Sequence, residues 1–488
     1  MTPRLSPHSL AALPPEVERP GYDRAGLATG VVHLGVGAFH RAHQAAVFDD
    51  LIRRGDRRWA IRGASLRSPE VRDSLAPQDG LYTLVVRDGA AERRRVIGAL
   101  RGVLVAPEAP AALVEALAAP DTHLTTLTVT EKGYKLDPSS GRLLEDDPDL
   151  AADLLDLSAP RTAPGFLVAA LKLRRSRGLA PFTAISCDNL PHNGARLRDA
   201  VMAMAERHDP ALADWIAMRG AFPQTMVDRI VPATTADDID ALAAATGLSD
   251  LAMVKTEPFS QWVIEDRFAG ERPEFEAAGV QVTADVAPWE AAKLRLLNGA
   301  HSAIAYLGGL ARVEFVHEFV ARPQGAAFVE RLWDEAQPTL DPPPGLNLAR
   351  YRAELMARFA NPALHHRTRQ IAMDGSQKLP QRLLAPLADR LAAGGSIEAL
   401  SLAVAAWMRW QAGRDDAGAA FAVDDPLAAV TARAIRGLGD PVDQAMALLG
   451  IEAIFPPSLA ADPRLRESLG RLASRLARLG ARAAIEAA

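Results

Sequence analysis

Short runs of apolar, β-rich residues alternate with Ala/Leu/Arg-rich stretches from Gly30 to about Val286. Candidate strands fall at 31–36, 59–64, 82–87, 103–106, 124–129, 183–187, 253–254 and 280–283. Between several of them, as at 42–53, 111–117 and 165–177, apolar residues recur at helical spacing. Such alternation favours helices packed on a largely parallel sheet. The expectation is an α/β fold with a Rossmann-type domain over residues 1–286. After Pro288 the strand pattern fades, and 290–310, 327–335, 349–359 and 397–411 carry apolar residues at helical spacing. Residues 287–488 are therefore expected to form a mostly α-helical domain, with inter-helix loops at 338–345 and 393–395. The stripe Leu465, Leu469, Leu472, Leu476 and Leu479 predicts a packed terminal helix, since the repeat is too short for a coiled coil.

Composition narrows the class. A chain of 488 residues is long enough for two or three domains at roughly 100 to 200 residues each. With 49% hydrophobic and 24% charged residues, it has the balance of a globular protein. The formal charge of −5 gives no electrostatic reason to expect nucleic acid or an anionic membrane as partner. One cysteine, Cys187, excludes an internal disulfide and Cys-rich metal sites, fits a reducing cytoplasm, and reads as a small buried apolar residue. No apolar run reaches the roughly 18 residues of a membrane span. Residues 1–24, with Pro3, Pro7, Pro14, Pro15 and Pro20, lack the apolar core of a signal peptide and read as an extended lead-in.

Two segments carry candidate chemistry. The first strand runs into Gly35, Val36, Gly37, Ala38, Phe39, His40 and Arg41, where two glycines allow a tight turn and close approach to a pyrophosphate at a helix N-terminus. The third glycine of the dinucleotide fingerprint is replaced by His40, and an ordinary strand-to-helix turn fits these residues equally. Glu70, following the second strand, is the candidate acceptor for adenosine ribose hydroxyls, which favours NAD; Arg67 nearby would instead suit a 2′-phosphate. His40 and His43 have the spacing of paired metal ligands, but the nearest carboxylates, Asp49 and Asp50, lie almost two turns on. A helix entry beside the phosphates is expected there, and no metal.

The second segment is 289–301. At 100° per residue, Lys293, Asn298 and His301 fall within roughly 140° of one another, so one helix face presents a proton-transfer and oxyanion set. A surface lysine and a capping asparagine fit the same spacing. Asn189, in the loop from Asp188 to Gly194 after a strand, can aim its amide at a substrate oxygen, although a simple turn also accounts for Asn193-Gly194.

Five motifs in one order carry a resemblance: 35–44, 130–134 (Thr-Glu-Lys-Gly-Tyr), 186–194, 226–230 (Met-Val-Asp-Arg-Ile) and 293–301. Together they resemble the polyol-specific long-chain dehydrogenase family, which includes mannitol 2-dehydrogenase and fructuronate reductase, from about Gly35 to about Gly450. The resemblance implies a Rossmann-type domain, a helical C-terminal domain, NAD(H) between them and no zinc. It implies that Lys293 is the catalytic acid/base, that Asn189 and Asn298 hold the reacting oxygen, and that His301 positions substrate. Glu131 and Asp228 match acidic residues near the proton path or cofactor. A monomer is the expectation from the same source, as is a small-molecule sugar acid or polyol as partner.

The stretch 365–382 resembles the fructuronate reductase branch, with Gln370 where mannitol-oxidising relatives commonly carry arginine. Arg367, Arg369 and Lys378 are candidate partners for a substrate carboxylate. D-Mannonate/D-fructuronate is therefore the first expectation and a neutral polyol, mannitol or arabinitol, the second. A nucleotide-binding protein without catalysis is the alternative of a different class, and the intact set of Lys293, Asn189, Asn298 and His301 argues against it.

Overall fold

Every residue of the strands Val31–Leu34, Leu124–Leu127 and Thr183–Ser186 is buried, the pattern of parallel strands covered on both faces. With Ile61–Ser65 and Leu100–Val105 they make a five-stranded, wholly parallel sheet. Val31 pairs with Ile61 on one side and Leu124 on the other, and Leu127 pairs with Ser186. Counted along the chain, the strand order is 3-2-1-4-5, that of a Rossmann sheet. Alternation sends Val31 into a core with Phe48, Leu51 and Trp59, and sends Val32 and Leu34 into a second core with Phe166, Leu167 and Leu197.

The computed structural model describes residues 2–137 and 140–486. The chain divides into two compact units, Met1–Val286 and Ala287–Ala488.

In the first unit the pattern of apolar runs locates most strands but misses four. Ala91–Ile97 carries three arginines, and pairs antiparallel with Tyr82–Asp88 from Tyr82↔Ile97 to Asp88↔Ala91. Two of these arginines are paired: Arg94 meets Glu92 at 2.7 Å and Arg95 meets Asp50 at 2.6 Å. Thr225–Asp228 and Gln261–Glu265 pair antiparallel in a separate three-stranded sheet with Gln281–Thr283. The fourth is Val17–Glu18, which pairs parallel with Arg94 and Arg95. The N-terminal segment is thus more than an extended lead-in, because Leu5, Leu13 and Val17 share a small core with Leu81, Val96 and Leu248.

The second unit is helical. Gly299–Leu310 and Glu398–Trp410 are almost wholly buried and form its centre. The last helix, Pro463–Glu486, buries Leu465, Leu469, Leu472 and Leu476, then breaks at Gly480 (φ 75°, ψ 167°), which leaves Leu479 exposed.

Candidate active site

In the first unit, the crevice of a doubly wound sheet opens beyond the carboxyl ends of Val31–Leu34 and Leu124–Leu127, where the strand order reverses. Gly35 lies at that point with φ +96°, and a Cβ there would stand 2.2 Å from the Thr128 carbonyl oxygen. Thr128 Oγ1 donates to the Gly35 carbonyl at 2.6 Å. Below the turn, His33 Nε2 lies 3.1 Å from the Gly35 carbonyl oxygen and 3.0 Å from Thr128 Oγ1, and its Nδ1 lies 2.7 Å from Thr126 Oγ1. Burial pulls His33 down to about 3, and burial followed by the neighbouring His33 holds His40 well below the ordinary imidazole range. Both rings are therefore neutral near pH 7.

The helix Ala38–Ala42 starts from Gly37, which brings no capping side chain. Its first N–H groups lack intrahelical acceptors. A Cβ on Gly37 would meet only the Gly35 carbonyl oxygen, at 4.0 Å, so the turn has room for close approach. These residues fit a dinucleotide pyrophosphate. Arg41 donates from Nη1 to the Val36 carbonyl at 2.8 Å, while its own carbonyl accepts from Tyr82 at 2.7 Å. Val36 and Phe39 pack with the first core. His43 Nε2 lies 2.9 Å from the Gln261 carbonyl oxygen and its Nδ1 2.9 Å from the Gln44 amide, which points this ring into the protein.

Glu70 opens the helix Glu70–Leu75, fully exposed, with the Ser68 side chain holding its carboxyl below the usual range. Glu131 begins a single turn, Glu131–Tyr134, and stands 3.4 Å from Arg196. Two buried side chains anchor the neighbouring loops. Asp188 accepts from Tyr134 OH at 2.7 Å and from the Thr130 and Val129 amides at 2.8 and 3.2 Å, and burial raises its pKa. Asn193 donates to the Asp188 carbonyl at 3.1 Å and to the Thr225 carbonyl at 3.0 Å. Asn189 is exposed on the loop so fixed. Asp228 ends its strand buried, in register with Gln261. Cys187 is buried in the core, where burial and then Asp188 push its thiol up.

In the second unit, Ala287–Ala292 passes through a π-helical turn, Lys293–Asn298, into Gly299–Leu310. In regular α geometry Lys293 and Asn298 would stand about 140° apart around the axis. The wider i→i+5 turn carries Asn298 back toward the Lys293 side. Lys293, Asn298 and His301 are 6%, 6% and 7% exposed, so none is the surface residue that spacing alone allowed. Asn298 Nδ2 and His301 Nε2 are buried with no hydrogen-bond partner among the described residues. Unsatisfied buried polar atoms are uncommon and call for a reason. The His301 ring lies 4.7 Å from Phe359 and 5.0 Å from His366. Burial holds His301 well below its usual pKa, and His366, Arg358, Arg382 and Lys293 act in the same direction.

The three candidate cations do not share one environment. Arg367 pairs with Glu314 and lies over Phe315, and exposed Arg369 lies over Phe421 at 5.1 Å. Lys378 is half-buried, donating to the Met373 carbonyl at 2.5 Å and lying 3.7 Å from Asp374. Residue-by-residue reading of the sequence passed over His33, Thr128, His366 and Arg382. His33 had one signal, a polar residue inside the apolar run Val31-Val32-His33-Leu34.

Comparison with known proteins bears on both units. Residues 29–277 match the model of the mannitol dehydrogenase Rossmann domain, and residues 285–475 that of the mannitol dehydrogenase C-terminal domain. The chain is 44% identical over 450 residues to the D-mannonate oxidoreductase of Escherichia coli K12, covering 91% of this chain and 92% of that protein. It is 42% identical over 495 residues to a mannitol 2-dehydrogenase of Pyrenophora tritici-repentis, covering 99% and 86%. The Pseudomonas fluorescens mannitol 2-dehydrogenase, solved as a ternary complex with NAD and D-mannitol, superposes with a TM-score of 0.87 at 38% identity, covering 99% of each chain. The chain belongs to the mannitol dehydrogenase family of oxidoreductases.

Proposed function

We propose that this protein is an NAD-dependent, metal-independent oxidoreductase that interconverts a secondary alcohol and a ketone on a linear sugar acid, with D-mannonate and D-fructuronate as the pair. The observation that carries it is the buried π-helical turn with Lys293 and Asn298 on neighbouring sides and unpartnered donor and acceptor atoms on Asn298 and His301. Lysine has an ordinary pKa of about 10.4, so a base working near neutrality needs surroundings that disfavour the ammonium. Lys293 is buried, the kind of surrounding in which a charged amine is disfavoured.

In the oxidative direction Lys293 accepts the hydroxyl proton. Bound NAD supplies the acceptor for the hydride that leaves the same carbon. Amide donors from Asn298 and Asn189 stabilise the negative charge developing on oxygen. His301, neutral by burial, orients a neighbouring hydroxyl, and the reverse direction returns the proton from Lys293 to the carbonyl oxygen. Glu131 and Asp228 serve the proton path or the cofactor, with residues 35–41 and Glu70 on the cofactor side. The amine, amides and imidazole between them supply a proton acceptor and oxyanion donors, the roles that a Lewis-acid metal would otherwise fill. Of Arg367, Arg369 and Lys378, only Lys378 is half-buried, so its positive charge is the one of the three that can favour an acidic substrate from close by.

The second reading is a neutral polyol such as mannitol, favoured by the similar identity to mannitol 2-dehydrogenases. NADH oxidation with D-fructuronate beside D-fructose separates the two. Activity on fructuronate well above that on fructose is expected. Strong activity on fructose with none on fructuronate reverses the order.

A further inference from the structure

Most buried or half-buried guanidinium groups among the described residues are supplied with anions or carbonyls. Arg24 meets Asp79 at 2.6 Å and the Gly98 and Leu100 carbonyls at 2.9 and 3.0 Å. Arg174 donates to the carbonyls of Ala180, Ala119 and Thr122. Arg95 is paired with Asp49 and Asp50. Arg382 is different. It sits on a second π-helical turn, Pro380–Leu384, and its one side-chain hydrogen bond among the described residues runs from Nη1 to Ser302 Oγ at 3.2 Å. Its Nε is buried without a partner, and no carboxylate among the described residues lies within ion-pair distance. Burial pulls this guanidinium down to about 10.

Its position relates it to the catalytic helix. Ser302, on Gly299–Leu310, is the residue after His301 and lies four after Asn298, so it sits about one turn, roughly 6 Å, along the axis from Asn298. The two π-helical segments pack closely at this point. A Cβ on Gly299 would stand 2.9 Å from the Arg382 carbonyl oxygen, so glycine there admits the approach. His301 and Lys378 both feel the charge of Arg382. Lys378 already donates to Met373 and neighbours Asp374, whereas the Arg382 fork is left largely unspent.

We infer that Arg382 is the anchor for the terminal carboxylate of a sugar-acid substrate, and that this residue separates acids from neutral polyols. The inference deepens the proposed oxidoreductase reading and rests on it for the identity of the reacting group. A planar guanidinium offers parallel N–H donors to a carboxylate. One helical turn is the distance that a chain of a few carbons spans between an anchored end and a reacting hydroxyl.

D-Mannonate and D-mannitol differ only in carrying a carboxylate or a hydroxymethyl at one end, and they make the test. Arg382→Met is expected to lower kcat/KM for D-mannonate by about 10²-fold or more, mainly through KM, as loss of a buried charge partner does. D-Mannitol oxidation should change far less, and Arg382→Lys should recover part of the mannonate activity. NADH affinity and melting temperature, unchanged in both variants, show that each has folded. Equal losses on both substrates, or no loss on mannonate, overturn the inference. Calorimetric binding of D-mannonate to the NADH-loaded protein provides a readout independent of turnover. Binding by the wild type that Arg382→Met abolishes, without turnover in either, upholds the carboxylate anchor and rejects the oxidoreductase reading. No binding by a wild type that oxidises mannitol rejects the anchor and leaves that reading standing.

Discussion

The imidazole rings of His33 and His40 stack with centroids 3.3 Å apart and planes inclined by 13°, directly beneath the glycine turn at Gly35. Two protonated rings cannot share that position. The folded protein therefore keeps both neutral, whereas an unfolded chain protonates them below about pH 6.5. Because the folded pKa is the depressed one, the unfolded state binds more protons below about 6.5, and stability falls as pH drops toward the folded value of His33, about 3. For His33 alone this amounts to about 2 kcal/mol at pH 5. Melting followed from pH 7 to pH 5 should show a steep loss, and His33→Gln should flatten that slope by close to one proton. An unchanged slope would mean that His33 is charged in the folded protein.

Gly35 and Gly37 separate folding from cofactor binding. At Gly35 the left-handed backbone and the Thr128 carbonyl at 2.2 Å exclude a Cβ, so Gly35→Ala should lower the melting temperature as well as NADH affinity. At Gly37 φ is −74° and a Cβ has room, so folding stability should hold within about 0.5 kcal/mol. NADH affinity of Gly37→Ala should still fall, because the added methyl occupies the space the pyrophosphate needs. A titration of both variants, with melting curves alongside, checks this; undiminished affinity in Gly37→Ala would take the pyrophosphate away from this turn.

How far the sequence reveals these features depends on whether a feature is local. Strands such as Val31–Leu34 and helices such as Glu398–Trp410 announce themselves because burial on both faces or along one stripe writes itself into apolar spacing. Ala91–Ile97 does not, since Arg94 and Arg95 are stabilised by Glu92, Asp49 and Asp50, partners that lie mostly elsewhere in the chain. At the candidate site, the grouping of Lys293, Asn298 and His301 could be proposed from spacing, but the π-helical turn that tightens it has no sequence signature at 100° per residue. Arg382 lies within the stretch 365–382 but nothing in the sequence singles it out, because a buried guanidinium and a solvated one read alike until the fold shows which has no anion.

Asn298 gives the oxyanion half of the mechanism its own test. Its Nδ2 is buried and has no partner among the described residues, so Asn298→Ala removes a donor that the folded protein does not otherwise use. Activity should drop by about 10² to 10³-fold in kcat with NADH affinity retained, the range seen when one oxyanion donor is lost. A change confined to KM would place the amide on the ground-state substrate instead.

Lys293 tests the other half. The side chain is buried at the start of the π-helical turn, so Lys293→Ala leaves space in place of an amine. Turnover should be abolished in both directions while NADH binds as before, because no step of cofactor binding calls on this amine. The variant's cavity also permits rescue: a small primary amine such as methylamine, supplied in the assay, should restore part of the rate in proportion to its unprotonated fraction. Wild-type oxidation should rise with pH as the amine loses its proton, and the rescued variant should follow the added amine's pKa instead. That shift of the profile distinguishes proton transfer at this position from a merely structural lysine. Near-normal turnover in Lys293→Ala, with the wild-type pH profile intact, would remove Lys293 from the mechanism and leave the buried Asn298 amide and His301 to be explained by binding alone.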